Sequence, residues 1–225
     1  LGEQLDHYDV LIATPGAMLE AQYVKSLVLT LAECDKRGIT YKWLNAYSSL
    51  VHHARELTAS GRDSTELNPD DISPMGGTVT YSKIFWIDSD ISWTPEQFFK
   101  LYDASQEVIA GAYLLADGRT TTVHTAEYLN GIPKELVLKM KDITQVQSIG
   151  FGFVAIASGV FERLERPWFA HMLQPIQNSK GENLPDALGE DISWCVRAYK
   201  AGIPIHFDPT VLVTHMKKFP ITWAQ

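Results

Sequence analysis

The sequence predicts an α/β fold: a mostly parallel central sheet with flanking helices and a smaller mixed region. Three observations predict it. Apolar runs that read as buried strands alternate with helical spacing through the first half. Each helical segment is punctuated by capping and turn residues. Beyond Leu115 the alternation loosens into strand-like runs with fewer helices between them.

In order, "DVLIAT" (Asp9 to Thr14) is a buried strand stopped by Pro15 and Gly16. Leu19, Tyr23, Leu27 and Leu31 then recur at helical spacing, with Lys36 and Arg37 in the last turn and Gly38 as C-cap. "TYKWLN" (Thr40 to Asn45) is a second strand, and Ser48 is placed to cap a helix carrying Leu50, Val51, Ala54 and Leu57 that ends at Ser60-Gly61. From Arg62 to Thr78 polar and turn residues replace any periodicity, as in a long loop or insertion. "IFWI" (Ile84 to Ile87) is a strand that runs into Asp88 and Asp90. Thr94, Pro95 and Gln97 spell an N-cap, a first-turn proline and a capping box for the next helix. "EVIAGAYLL" (Glu107 to Leu115), "TTTVHTAEYL" and "ITQVQSIGFGFVAIA" read as strands, and Arg166 to Gly189 as a loop. A helix from about Glu190 to Ala201 and two short strands, "IPIHF" and "VLVTH", complete the pattern. One domain with two subregions is expected, one over about 1–115 and one over about 116–225.

With 225 residues the chain can bury a sizeable core. A net charge of -8 gives no general attraction to nucleic acid or anionic lipid. The two cysteines, Cys34 and Cys195, make no disulfide framework, so a reducing, cytoplasmic setting is the expectation. No apolar run is long enough to span a bilayer.

Chemistry concentrates in three places. Asp88 and Asp90, two apart in an extended segment, point the same way beyond a strand's carboxyl end, where α/β sheets bind ligands. Two close carboxylates repel unless a cation or proton intervenes, and a hard divalent cation suits them; the competing reading is a plain strand–loop–helix junction. Glu190 and Asp191 open a helix, where the helix dipole alone favours acids, or else supply a general base at a cleft edge. His215 follows a late strand as a surface residue, or completes a mixed Asp/His metal site.

Taken together, "WIDSDI", "SIGFGFVAIASGVFERL", "RPWF" and "GEDISWCVRAYKAGIPIHFDPTVLVTH" resemble nucleotide-sugar-dependent glycosyltransferases of the GT-A fold, family 2-like and of phage or bacterial type. The resemblance runs from about Asp9 to His215, and it implies that about 1–115 is a nucleotide-binding half and about 116–225 an acceptor and catalytic half. It implies transfer of a sugar from a UDP- or GDP-sugar to a carbohydrate or other hydroxyl acceptor, with Mn²⁺ or Mg²⁺ as cofactor; a modified DNA base is the disfavoured acceptor. It implies Asp90 and His215 as metal ligands, with Asp88 on the ribose or a metal-bound water. Thr14, Pro15, Gly16, Arg55, Ser89, Gly150 and Gly152 would complete the donor site, with Arg55 on the diphosphate. Asp191 would be the base of an inverting displacement, Glu190 its neighbour orienting donor or acceptor, and Trp168 and Phe169 an acceptor platform. Asn45 stands where many relatives carry a base-reading aspartate, which leaves the nucleotide open. The rival readings are a haloacid dehalogenase-like phosphatase with Asp88 as nucleophile, and a non-catalytic nucleotide- or carbohydrate-binding module. Oligomeric state is not legible.

Overall fold

The first apolar run is buried because it becomes an inner strand of a sheet covered on both faces. The computed structural model describes residues 5–61, 71–177, 180–217 and 220–221. Strand β1 (Asp6–Pro15) leads into helix α1 (Ala21–Arg37), which ends at Gly38 in the left-handed conformation, φ 68°. Strand β2 (Tyr41–Ala46) and helix α2 (Val51–Ser60) repeat the unit. Ser48 does not cap α2 as expected; its hydroxyl accepts the Leu50 N–H, one residue before the helix starts. Of the expected loop from Arg62 to Thr78, residues 62–70 lie outside the described residues, and Pro74–Gly77 form a 3-10 turn.

Strand β3 (Val79–Ile87) is followed by the two-residue strand β4 (Ile91–Ser92) and helix α3 (Pro95–Tyr102), which carries the expected capping box between Thr94 and Gln97. Strand β5 (Val108–Ala112) ends the regular alternation. The short helix α4 (Lys134–Val137), strand β6 (Thr144–Val146) and strand β7 (Phe153–Ala157) come next. Then come strands β8 (Leu173–Gln177) and β9 (Asn183–Ala187), helix α5 (Glu190–Lys200), and strands β10 (Ile205–Leu212), β11 (Thr214–Met216) and β12 (Pro220–Ile221).

The central sheet has seven strands in the order β2-β1-β3-β7-β5-β10-β6. Strands β2, β1, β3, β5 and β10 run one way, while β7 and β6 are antiparallel to their neighbours. The expected α/β architecture, a mostly parallel sheet with flanking helices and a smaller mixed region, is therefore the one observed. Side chains alternate between two apolar layers. Leu11, Ala13, Ile84 and Trp86 share one layer with Trp194, Cys195 and Ala198 of α5. Val10, Ile12, Phe85 and Ile87 share the other with Tyr23 and Leu27 of α1 and Phe98 of α3. Cys34 and Cys195 are buried in opposite layers, so they do not pair with each other.

Four expectations differ in detail. "TTTVHTAEYL" is no strand: its backbone bonds are shared among Ile132, Ser148 and other partners, so isolated bridges form and no ladder extends. "ITQVQSIGFGFVAIA" divides into β6 and β7, which pair with different neighbours. The supposed loop after Arg166 contains the β8–β9 hairpin, which sets Pro175 opposite Pro185 and exposes Leu173 and Leu184. A proline-bearing hairpin with no buried face has no apolar alternation to reveal it. The two short final strands are one strand, β10, interrupted by a register shift, followed by β11.

Phe85 stacks on Phe98 at 4.3 Å and meets Phe153 edge-on at 4.9 Å, so it joins β3 to α3 and β7. Phe85→Ala is expected to cost about 3–5 kcal/mol, read as a lower urea midpoint at unchanged denaturant slope.

Candidate functional site

Strand polarity decides where the candidate residues gather. The carboxyl ends of β1, β3, β5 and β10 lie along one edge of the sheet, and antiparallel β7 brings its amino end there too. A cleft of about 410 Å³ opens along that edge. Its walls are Pro15 from β1, Arg55 from α2, Asp88, Ser89 and Asp90 after β3, Tyr113 and Leu115 after β5, Glu190 and Asp191 at the start of α5, and His215 and Lys217 after β10.

The loop after β3 is tightly held. The Asp88 N–H donates to the Gly152 carbonyl at 3.1 Å, the Ile91 N–H to the Asp88 carbonyl at 3.0 Å, and the Glu20 N–H to the Ser89 carbonyl at 3.0 Å. Gly16 is needed for this approach: its φ is 141°, and a β-carbon there would lie 2.9 Å from Ser89 Oγ.

Arg55 is 3% exposed. Its Nη2 lies 3.0 Å from Asp88 Oδ1 and its Nε 3.3 Å from Glu190 Oε1, while Nη1 is buried without a hydrogen-bond partner. Burial works against the charge, but Asp88, Glu190 and Asp191 outweigh it and raise the guanidinium above its ordinary pKa. Across the cleft, Asp90 Oδ2 is 3.3 Å from His215 Nε2 and accepts a hydrogen bond from Lys217 Nζ at 2.7 Å. Burial pushes the Asp90 carboxyl up, yet the hydrogen bonds from His215 and Lys217 bring it below the usual range. Asp191 lacks such compensation. Burial first, and then Glu190, push its carboxyl up to about 6, against a smaller opposing pull from Arg55. A carboxylate tuned toward neutral pH suits a general base.

Two donors fit a cation. His215 Nδ1 sits 2.9 Å from the Leu114 carbonyl, which can only accept, so Nδ1 carries a proton, and Nε2 is the ring nitrogen that faces Asp90. Among the described residues no three His, Cys, Asp or Glu side chains converge on one point. One carboxylate and one imidazole are nonetheless a fitting donor set for Mn²⁺ or Mg²⁺, which keep waters and substrate phosphates as further ligands. Asp88 is turned to Arg55 instead.

Of the sequence-derived candidates, Pro15, Arg55, Asp88, Ser89, Asp90, Glu190, Asp191 and His215 line the cleft. Thr14 is buried behind it, with its hydroxyl bonded to Tyr23 and accepting from Trp43 Nε1. Gly150 and Gly152 stand behind Tyr113: a β-carbon on them would come within 2.3 Å of its hydroxyl and 2.6 Å of its ring respectively. The Gly152 N–H donates to that hydroxyl at 3.1 Å. Trp168 and Phe169, expected as an acceptor platform, are fully buried among Phe161, Trp86 and Phe151. Aromatic side chains of this size are drawn into the core unless a polar tip needs solvent. Sequence reasoning missed Tyr113, which packs edge-on to His215 at 5.2 Å, and Lys217. Tyr113 was hidden inside an apolar run; Lys217 sits two residues after His215, just past the end of β11, and that short spacing was its available signal.

No protein-family model matches the chain, and no curated protein matches it in sequence. Among solved structures, A197 from STIV is similar over 95% of this chain and 86% of its own, with a TM-score of 0.50 and 17% identity. The catalytic domain of Drosophila beta1,4galactosyltransferase 7 in complex with xylobiose is similar over 95% of this chain and 71% of its own, with a TM-score of 0.49 and 10% identity. A mutant of that enzyme in complex with manganese, UDP-Gal and xylobiose gives a TM-score of 0.48 and 11% identity over the same shares. At these identities the likeness to A197 is one of fold. No helix among the described residues is long and apolar enough to cross a membrane.

Two outcomes follow for this site. Arg55→Met leaves Asp88 and Glu190 facing each other without their cation and is expected to cost about 2–4 kcal/mol, the partial exposure of Asp88 moderating the loss; chemical denaturation measures it. The native state binds the Asp191 proton more tightly than the unfolded chain does. Stability contributed there is therefore largest at acid pH and is lost as pH rises toward and through about 6. Asp191→Asn should remove that fall, so its stability relative to the wild type rises between pH 4 and pH 7, read from denaturation midpoints across that range.

Proposed function

We propose that this chain is a GT-A-type glycosyltransferase that moves a sugar from a nucleoside-diphosphate sugar to an acceptor hydroxyl. One observation carries the reading. Asp90 and His215 Nε2 meet on one wall of the cleft, while the Arg55 guanidinium and the Asp191 carboxylate line the same space.

Asp90 and His215 would hold Mn²⁺ or Mg²⁺, which when bound neutralises charge growing on the diphosphate leaving group. Arg55, held in place by Asp88 and Glu190, would set its positive charge beside the same anion, so little reorganisation is needed as charge develops. Pro15 and Ser89 shape the donor side of the cleft. Asp191 takes the proton of the acceptor hydroxyl while its oxygen forms a bond to the anomeric carbon and the sugar–phosphate bond breaks. One base and one displacement imply inversion at that carbon. Glu190, tied to Arg55, keeps Asp191 at the cleft edge and raises its proton affinity. The donor is a UDP- or GDP-sugar and the acceptor a carbohydrate or other hydroxyl compound.

The phosphatase reading is not favoured. Asp88, its required nucleophile, is engaged by a buried guanidinium at 3.0 Å, and two strand–helix units precede it.

Incubating the protein with UDP-, GDP- and dTDP-sugars and Mn²⁺, with and without candidate acceptors, should release nucleotide from one of them. Asp90→Ala should lose metal and donor binding together, and Asp191→Asn should keep donor binding while transfer falls about 10²–10⁴-fold. Donor binding without transfer or hydrolysis by the wild type would instead identify a binding module. No binding of any donor would sink both.

A further inference from the structure

The geometry points to Lys217 as a resident counter-cation of Asp90, one that must leave this carboxylate before a divalent ion is held there and that then passes to the diphosphate. This rests on the cation–diphosphate reading of the cleft.

A single oxygen is contested. Asp90 Oδ2 accepts from Lys217 Nζ at 2.7 Å and lies 3.3 Å from His215 Nε2. A Mn²⁺ or Mg²⁺ ion bonded to that oxygen would sit about 2 Å from it, against the ammonium, and the two positive charges repel. His215 is not the group that yields. Its side chain is 12% exposed, with Nδ1 held by the Leu114 carbonyl and the ring packed on Tyr113. The backbone does not yield readily either: the Met216 N–H donates to the Asp90 carbonyl at 2.7 Å, and His215 pairs with Ile91 across β11 and β4. Lys217 is 44% exposed on a flexible four-carbon stem, so its head group can swing at little cost.

The swing needs a destination. Asp88 and Glu190 already face Arg55, and the anion that arrives with the metal is the diphosphate. Metal alone must evict the lysine with nothing to receive it. Metal with diphosphate evicts it toward a new partner. Binding of the two ligands is then coupled beyond their direct contact, and the coupling is reciprocal.

The test titrates Mn²⁺ alone by water-proton relaxation, and then inorganic pyrophosphate at saturating Mn²⁺, in wild type, Lys217→Met and Lys217→Arg. Lys217→Met should bind Mn²⁺ alone about three- to tenfold more tightly and pyrophosphate about tenfold more weakly, and Lys217→Arg should stay within about twofold of wild type on both. Unchanged or weaker Mn²⁺ binding in Lys217→Met overturns the exchange, and unchanged pyrophosphate affinity overturns the hand-over. Wild type that binds Mn²⁺ and pyrophosphate normally while Lys217→Met differs in neither defeats this inference alone. If no protein binds Mn²⁺ even with pyrophosphate, the cation–diphosphate reading falls with it.

Discussion

A buried guanidinium sets the shape of the cleft. Arg55 reaches from α2 to Asp88 at the end of β3 and to Glu190 at the start of α5, joining three elements that are distant in the chain. Each needs the others. Asp88 and Glu190 would repel without the cation, and the cation could not be buried without them. The arrangement leaves one guanidinium nitrogen buried without a hydrogen-bond partner. Structures rarely leave a buried donor idle, and those that do generally reserve it for a ligand or for strain.

Around that centre four carboxylates occupy three environments. Asp88 and Glu190 answer to Arg55. Asp90 answers to His215 and Lys217, which keep it ionised. Asp191 faces its own kind with only a remote cation and holds its proton up to about 6. Burial is common to Asp90 and Asp191, so it is the hydrogen-bonded partner that separates them. A charge-holding carboxylate on one wall and a proton-accepting one on another are the two devices that the proposed displacement would use.

The residues behind the cleft serve by making room. Tyr113 occupies space that Gly150 and Gly152 vacate, and it supports the His215 ring from below. The glycine pair in "IGFGF" was legible as a place of close approach, but sequence could not say what approaches; the answer is this protein's own tyrosine. Trp168 and Phe169 show the converse: expected as an acceptor platform, they are drawn inside by packing.

Sequence by itself determined the features that near neighbours control. The Gly38 and Gly61 helix ends, the Thr94–Gln97 capping box, the buried strands ending at Pro15 and Ile87, and the location of Asp88, Asp90 and Asp191 at element ends were all legible. They depend on interactions within one helical turn or one strand. The β8–β9 hairpin, the isolated bridges of 120–129 and the pairing of β7 between β3 and β5 were not. Neither were the partners that give each carboxylate its role. Arg55 meets Glu190 across 135 positions of chain, and Lys217 meets Asp90 across 127. Contacts that distant leave no local period to read, because only the closed sheet brings the ends of β1, β3, β5 and β10 to one edge.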